Sequence, residues 1–421
     1  MSQFRIGHLG HSFTSQTSGT DTLRGKSVSA GTVTEIPPAD STLYPIGIQD
    51  FEELRKGGYA YADKTLHIWR LVTTGRFYFL IRPRHFGKSL LLSTLEAYFS
   101  GRKELFEGLD IAGLEKDWIQ YPVLKFVFGD RSYRRPDDLD EALDLQLEGF
   151  EKKYGITEKT GTAPSRFGNL IETAFEKTGR QVVILVDDYD KPILDNLGDE
   201  ALSGAIRRQL EAFYSTMKVE NRYLRFGFLT GVTKIGVHSA SCGLNSLVDI
   251  SMDACYADIC GFSGEELRKQ FDGGISTLAE ANGMTIQECY GQVARMYGGY
   301  HFSANAKEIH NPFSVLYAID TTEFREYWIE TGTPSYLIEV MRRADYVFTK
   351  IAPAEADYSL LTDIDTVFWN PIPLLYQSGY LTITGYDADT DIYTLEFPNL
   401  EVKHGFLSNL PSFCKPVNAL R

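Results

Sequence analysis

Cysteine is scarce in this chain. The five cysteines among 421 residues (Cys242, Cys255, Cys260, Cys289 and Cys414) form no CxxC pair and leave an odd count. A zinc ribbon and a disulfide framework are therefore not expected, and the thiols should be free or buried in a reducing compartment. Long apolar runs are missing too. None approaches the ~18 residues of a membrane-spanning helix, and the N-terminus lacks the apolar stretch of a signal peptide. An intracellular, cytoplasmic protein with no membrane association is expected. Positive charge is in deficit, 42 Lys and Arg against 56 Asp and Glu, for a net charge of −14. That balance argues against a broad nucleic-acid coat, though not against a local basic face. The eight histidines fall in no HExxH or HxH pattern, and Gly-x-Ser-x-Gly does not occur.

What is present is a globular composition, 43% hydrophobic and 23% charged, in a chain long enough for two or three domains. Residues 1–42 are rich in Ser, Thr and Gly. They cannot bury enough apolar surface to offset the entropy of ordering, so a disordered tail is expected there. From Tyr44 to Gly261 short apolar runs alternate with helical patterns. The strands expected are Phe77–Ile81, Val123–Phe128, Val182–Asp187, Leu224–Thr230 and a weaker Leu247–Ser251. The helices expected between them are Leu90–Phe99, Leu139–Tyr154, Arg166–Lys177 and Glu200–Met217. Alternation of this kind predicts an α/β fold with a parallel sheet covered by helices on both faces. From Phe262 onward helical patterns come first (Gly264–Asn282, Ile286–Met296, Phe324–Trp328, Ser335–Arg343 and Pro373–Ser378). Two strands follow, Tyr380–Thr384 and Ile392–Phe397, joined by the turn-forming GYDADTD. Helices ending in a hairpin predict a helical and winged-helix-like region over 262–421, after a phosphate-loop domain over 43–261.

Three segments carry chemistry. The first is Arg82–Ser89, RPRHFGKS, directly after FYFLI and directly before LLLSTLEAYFS. A strand, a tight Gly-Lys-Ser turn and a helix present backbone N–H groups and the positive end of a helix to phosphates. The full pattern is GxxxxGK[ST], and Arg82 stands at its first glycine. Here Lys88 reaches the β- and γ-phosphates, Ser89 ligates magnesium and Arg84 adds charge, with Phe86, Gly87 and Leu90 completing the nucleotide contact. The second is VVILVDDYDKPI, residues 182–193. An apolar strand ending in an acid delivers a carboxylate to the sheet edge where ligands bind. Asp187 is expected to hold magnesium and Asp188 to polarise the attacking water. Asp190 and Lys191 could pair locally. The third is LRFGFLTGVTK, residues 224–234, whose end offers Thr230, or second Thr233, to sense a γ-phosphate. That role belongs to NTPases with an extra strand between the phosphate loop and the acidic strand. Arg207, Arg208, Arg222 and Arg225 are the candidates for a trans-acting arginine finger.

Five ordered blocks, YPIGIQDFEELRKGGYAYADKT, FYFLIRPRHFGKSLLLSTLEAYFSGRKELFEGL, VVILVDDYDKPIL, LRFGFLTGVTK and YADICGFSGEEL, resemble the AAA-ATPase-like family. The similarity runs on through GGYHFS, NPFSVLYAI, YWIETGTPSYLIEV and LLYQSGYLTITGYD to FPNLEV, about Tyr44 to Val402. The resemblance implies a P-loop NTPase core followed by a helical and winged-helix-like region, with ATP as the nucleotide. The first reading, with ATP and Mg2+ as cofactors, is slow hydrolysis of Mg-ATP, coupled through the two-part layout to a conformational change. The resemblance also implies that some members carry a C-terminal PD-(D/E)XK nuclease-like domain, which is not expected before Arg421. Two departures matter. The family reads RPRRFGKS where this chain has His85, and DEYD where it has Asp188. The shorter carboxylate would hold water about an ångström too far away, which can cost on the order of 10²-fold in rate. Arg82 is no departure, since the family itself shows Arg there. A hydrolysis-deficient, nucleotide-dependent switch is the second reading, and a nucleic-acid-associated protein acting through the hairpin end is the third. A homo-oligomer or a protein partner is compatible with the chain.

Overall fold

Runs of apolar residues with no polar interruption make the centre of the molecule. The computed structural model describes residues 42–235, 247–344, 351–362, 364 and 367–413. The expected runs become β1 (Phe77–Ile81), β2 (Val123–Val127), β3 (Val182–Asp187), β4 (Leu224–Gly231) and β5 (Val248–Asp249). They form one sheet in the order β2-β3-β4-β1-β5, and every pairing is parallel. All residues of β1 and β3 are buried. Successive side chains of a strand point to opposite faces, so both faces of this sheet are covered. The flanking helices are Lys88–Phe99, Pro136–Lys153, Ala163–Thr178 and Glu200–Val219. Two of them start earlier than the apolar period indicates, because Pro136 and Pro164 sit at the first helical positions, where a missing N–H costs nothing. Phe126 of β2 meets Phe167 and Phe213 of two of these helices edge-on, with ring centroids 5.1 and 5.2 Å apart.

Strand order matters most for the site. β4 is the fourth strand in sequence, yet it lies between β1 and β3, with Leu80 paired to Thr230 and Leu185 to Phe228. The ends of β1, β3 and β4 thus come to one carboxyl edge. The edge strand is shorter than Leu247–Ser251. Asp249 accepts the Ser251 N–H and the Ser251 hydroxyl accepts the Ile81 N–H, so side chains replace the ladder.

The later residues form helices, including Gly264–Gln270, Asp272–Ala281, Ile286–Tyr297, Pro312–Thr321, Ser335–Arg343 and Leu400–Phe413. The single helix expected over Gly264–Asn282 breaks at Phe271, whose φ of −125° leaves the helix while its ring packs on Phe262. The expected hairpin forms from Thr382–Asp387 and Ile392–Glu396, and a third antiparallel strand, Ala354–Asp357, joins it. The main apolar core runs from Phe51 to Phe413 and includes Tyr300, Trp328, Leu337 and Phe406 beside the residues of the parallel sheet. A second cluster, around Phe271, Leu278, Val293 and Val315, belongs to the later helices. No helix among the described residues is long and apolar enough to cross a membrane. Cys255, Cys260 and Cys289 are free thiols. Cys242, Cys414 and residues 1–41 of the expected tail lie outside the described residues.

Candidate functional site

β1 delivers the chain to the loop Arg82–Gly87, and the helix Lys88–Phe99 starts at once. Gly87 is its N-cap, with φ +92°, a left-handed conformation that glycine adopts without a Cβ clash. No side chain caps this helix, so the N–H groups of its first turn, Lys88, Ser89 and Leu90, are left for an anion. Lys88 is buried, and its ammonium donates to the carbonyls of Arg82 (3.2 Å) and Pro83 (3.0 Å). Phe86 is a fully buried anchor. Its ring stands edge-on to Tyr300 (4.8 Å) and Phe302 (5.5 Å), and its carbonyl accepts the Gly261 N–H.

Arg82 does not reach toward phosphate. Its guanidinium is buried over Phe302 and donates to the carbonyls of Ile81, Ser251 and Tyr256 at 2.8–3.0 Å. The residue that replaces the first glycine of the motif is a bracket between β1 and the segment after β5. His85 has φ +64°, and its ring lies against Phe313 with centroids 4.6 Å apart. Burial, with the charges of Arg84 and Lys88, pushes its pKa down to about 4, so the imidazole is neutral at pH 7 and adds no charge.

The DDYD turn after β3 divides its labour. Asp187 is buried, and its Oδ1 has no hydrogen-bond partner among the described residues. Desolvation and the Asp188 charge raise its pKa, while Ser89 and Lys88 pull the other way. Asp188 holds a left-handed backbone, φ +51°, which Asp tolerates better than most residues. Tyr189 and Asp190 point elsewhere and pin the end of β4. The Tyr189 hydroxyl donates to the carbonyls of Thr233 (2.6 Å) and Ile235 (2.9 Å). Asp190 accepts from the N–H groups of Val232 (3.0 Å) and Thr233 (2.6 Å) and from the Thr233 hydroxyl (2.9 Å). The local pair expected between Asp190 and Lys191 does not form, because Lys191 reaches Asp195, one helical turn on, at 2.6 Å. The two threonine candidates also separate. Thr233 spends its hydroxyl on Asp190, whereas the Thr230 hydroxyl is buried with no hydrogen-bond partner among the described residues.

These elements border one cavity of about 820 Å³, within the usual size of a cofactor site. Arg84, Phe86, Gly87, Lys88, Ser89, Leu90, Asp187 and Asp188 all line it, and Thr230 lies outside the lining. Of the finger candidates, Arg225 is tied to the Val72 carbonyl and Arg222 to Glu172. The remaining wall escaped sequence reasoning. It includes Pro45, Gly47–Gln49 and Lys64 before β1, and Phe313, Leu316 and Tyr336 far downstream. Their segments lie in blocks that carry the family resemblance, but nothing in their residue types assigns them to the site, and only folding brings them together. Lys64 is held there by an ion pair with Glu266 at 2.5 Å. No group of three or more His, Cys, Asp or Glu gathers as a metal cage among the described residues. Magnesium, which prefers one or two carboxylates plus phosphate oxygens and water, does not need one. The Oδ1 of Asp187, without a partner among the described residues, and the neighbouring Ser89 hydroxyl suit it.

The family described as Predicted AAA-ATPase matches residues 45–241. A protein of Azotobacter chroococcum mcd 1, described as an uncharacterized protein in the vnfD 5' region, is 37% identical over 363 residues. The aligned part is 85% of this chain and 68% of that relative. The chain belongs to the predicted AAA-ATPase family. In this AAA-ATPase-like protein the matched segment holds all five parallel strands except β5, together with the phosphate loop and the acidic turn. Membership places the chain, at the level of the family, among ATPase-like nucleotide-binding proteins.

Proposed function

We propose that the chain binds Mg-ATP at the carboxyl edge of the parallel sheet and hydrolyses it slowly. One observation carries this reading. Gly87–Leu90, Asp187 and Asp188 line one cavity, and β4 lies between the strand of the phosphate loop and the strand of the acidic turn. Lys88 and the N–H groups of the first helical turn hold the β- and γ-phosphates, and Arg84 adds charge. Ser89 and Asp187 hold magnesium, which supplies neutralisation of phosphate charge when bound. Asp188 accepts a hydrogen bond from water and orients it toward the γ-phosphorus. Thr230, whose buried hydroxyl has no partner among the described residues, is the candidate to sense the γ-phosphate from just outside the cavity lining.

The reading includes a change in residues 262–421 on nucleotide binding, carried through the apolar core that spans both parts of the chain, and small-angle scattering with and without ATP tests it. We read the later part as winged-helix-like on its helix Ile372–Gln377 followed by the hairpin. ATP binding and phosphate release, measured on the wild type and on Lys88→Ala, test the proposal. Both are expected in the wild type and lost in the variant. Absence of both from the wild type would sink it.

A second reading, a nucleotide-gated switch with little turnover, is favoured by Asp188 standing where the family has Glu. Under that reading Asp188→Glu raises phosphate release and leaves ATP affinity unchanged. An unchanged rate counts against it.

A further inference from the structure

The cavity wall contains a polar group that none of the roles above uses. Pro334, Ser335 and Tyr336, at the start of the helix Ser335–Arg343, border the cavity. Leu337, Val340 and Met341 of the same helix are buried in the main core, so its placement is fixed by packing. The Tyr336 hydroxyl is shut off from solvent and has no hydrogen-bond partner among the described residues. A buried phenol without a partner is costly, and native structures keep few of them unless something arrives to pair with them.

Its surroundings indicate what arrives. The charges acting on the phenol are those of Arg84, Asp190 and Asp188. Asp190 is already filled by Val232 and Thr233. Arg84 is held by the same downstream segment. Its guanidinium donates to the Gly332 carbonyl at 2.8 Å and lies 5.8 Å from the Trp328 ring, and its carbonyl accepts Trp328 Nε1–H at 3.0 Å. One stretch of the later part of the chain therefore positions a guanidinium and offers a hydroxyl donor. Both residues line the cavity that Asp188, the carboxylate assigned to water at the γ-phosphorus, also lines. Burial holds the phenol pKa above its ordinary value, so it stays a proton donor at neutral pH.

We infer that Tyr336 donates a hydrogen bond to a non-bridging oxygen of the terminal phosphate of a bound nucleoside triphosphate, so that the later part of the chain reads directly whether that phosphate is present. The inference rests on the ATP-binding reading. The test uses the full chain with Mg2+ and compares ATP and ADP affinities in the wild type, Tyr336→Phe and Lys88→Ala. Tyr336→Phe keeps the ring and removes a hydroxyl that has no partner among the described residues, so its melting midpoint should equal or exceed that of the wild type. Its ATP affinity should fall about tenfold, the scale of one hydrogen bond to a charged group, while ADP affinity changes less than about twofold. If Tyr336→Phe binds ATP as the wild type does, or loses ATP and ADP affinity equally, the inference is wrong and the ATP-binding reading stands on the loss seen in Lys88→Ala. A change in turnover alone, with both affinities intact, would make Tyr336 a partner of Asp188 and would equally overturn it. A wild type that binds neither nucleotide would remove the underlying reading and this inference with it.

Discussion

The carboxylate of Asp188 rests against the bare Cα of Gly129: a Cβ built at Gly129 would lie 2.3 Å from Asp188 Oδ2. Gly129 follows β2, the strand beside β3, so the parallel pairing of these strands sets how close the two residues come. The space that Asp188 occupies is therefore defined by the absence of a side chain on the neighbouring strand end.

Gly129→Ala should displace that carboxylate while leaving the phosphate loop intact. We expect phosphate release to fall by about 10²-fold, because a misplacement near an ångström has that effect. ATP affinity should stay within about threefold of the wild type. Single-turnover rates beside equilibrium binding would check it, and an unchanged rate would remove Asp188 from the reaction.

Arg82→Gly restores the first glycine of the phosphate-loop pattern, yet we expect it to harm the protein. It removes a donor from the carbonyls of Ile81, Ser251 and Tyr256, the last of which still accepts the Ile259 N–H, and leaves space over Phe302. A loss of at least about 3 kcal/mol is expected from the buried unsatisfied acceptors. Denaturant unfolding measures this directly. A variant as stable as the wild type would show that the bracket contributes little.

Thr230→Val and Thr233→Val should behave in opposite ways. The first removes a buried hydroxyl that has no partner among the described residues, so stability should hold or rise slightly. The second removes a donor to Asp190 and should cost about 1–2 kcal/mol. If Thr230 serves the reaction, Thr230→Val also slows phosphate release at unchanged stability. Melting midpoints and turnover of the pair separate the two roles.

Glu401 should make stability depend on pH. It is fully buried, accepts from the Ser314 hydroxyl (2.8 Å) and the Trp328 N–H (2.7 Å), and has Glu326 and Glu330 as charged neighbours. Burial raises its pKa from 4.5 to about 8. A carboxyl whose pKa is higher in the folded state favours folding fully below its unfolded value. That contribution is lost as pH rises through the folded value. Between about pH 4.5 and 8 the loss should be on the order of 1 kcal/mol per pH unit. Glu401→Gln should match the wild type near pH 5 and gain on it as pH rises to 8. Parallel pH profiles for the two proteins would refute this.

The acidic turn marks how far the sequence could be read. β1 and β3 fall at Phe77–Ile81 and Val182–Asp187, as the apolar runs require, because strands buried on both faces must be apolar throughout. The same runs end in Gly-Lys-Ser and Asp-Asp, which locate the phosphate loop and two carboxylates. The helices Phe51–Lys56, Thr65–Thr74, Pro312–Thr321 and Leu400–Phe413 and the strand Ala354–Asp357 escaped notice, and the helix expected at Phe324–Trp328 lies instead at Tyr327–Glu330. The first is one and a half turns long, too short for a period to show, and the Ala-Glu-Ala-Asp strand is poor in β-branched residues.

Local pattern thus determined the strands of the parallel sheet, most of the helices and the chemistry at two strand ends, since burial on two faces and phosphate binding each demand particular residues in a row. Tertiary structure decided the rest. It placed β4 between β1 and β3, turned Arg82 into a bracket, sent Asp190 to Thr233 rather than Lys191, and brought Trp328 and Tyr336 to a loop built around residue 84. Those outcomes depend on which distant groups lie within about 3 Å of a buried donor or acceptor, a distance that no spacing along the chain encodes.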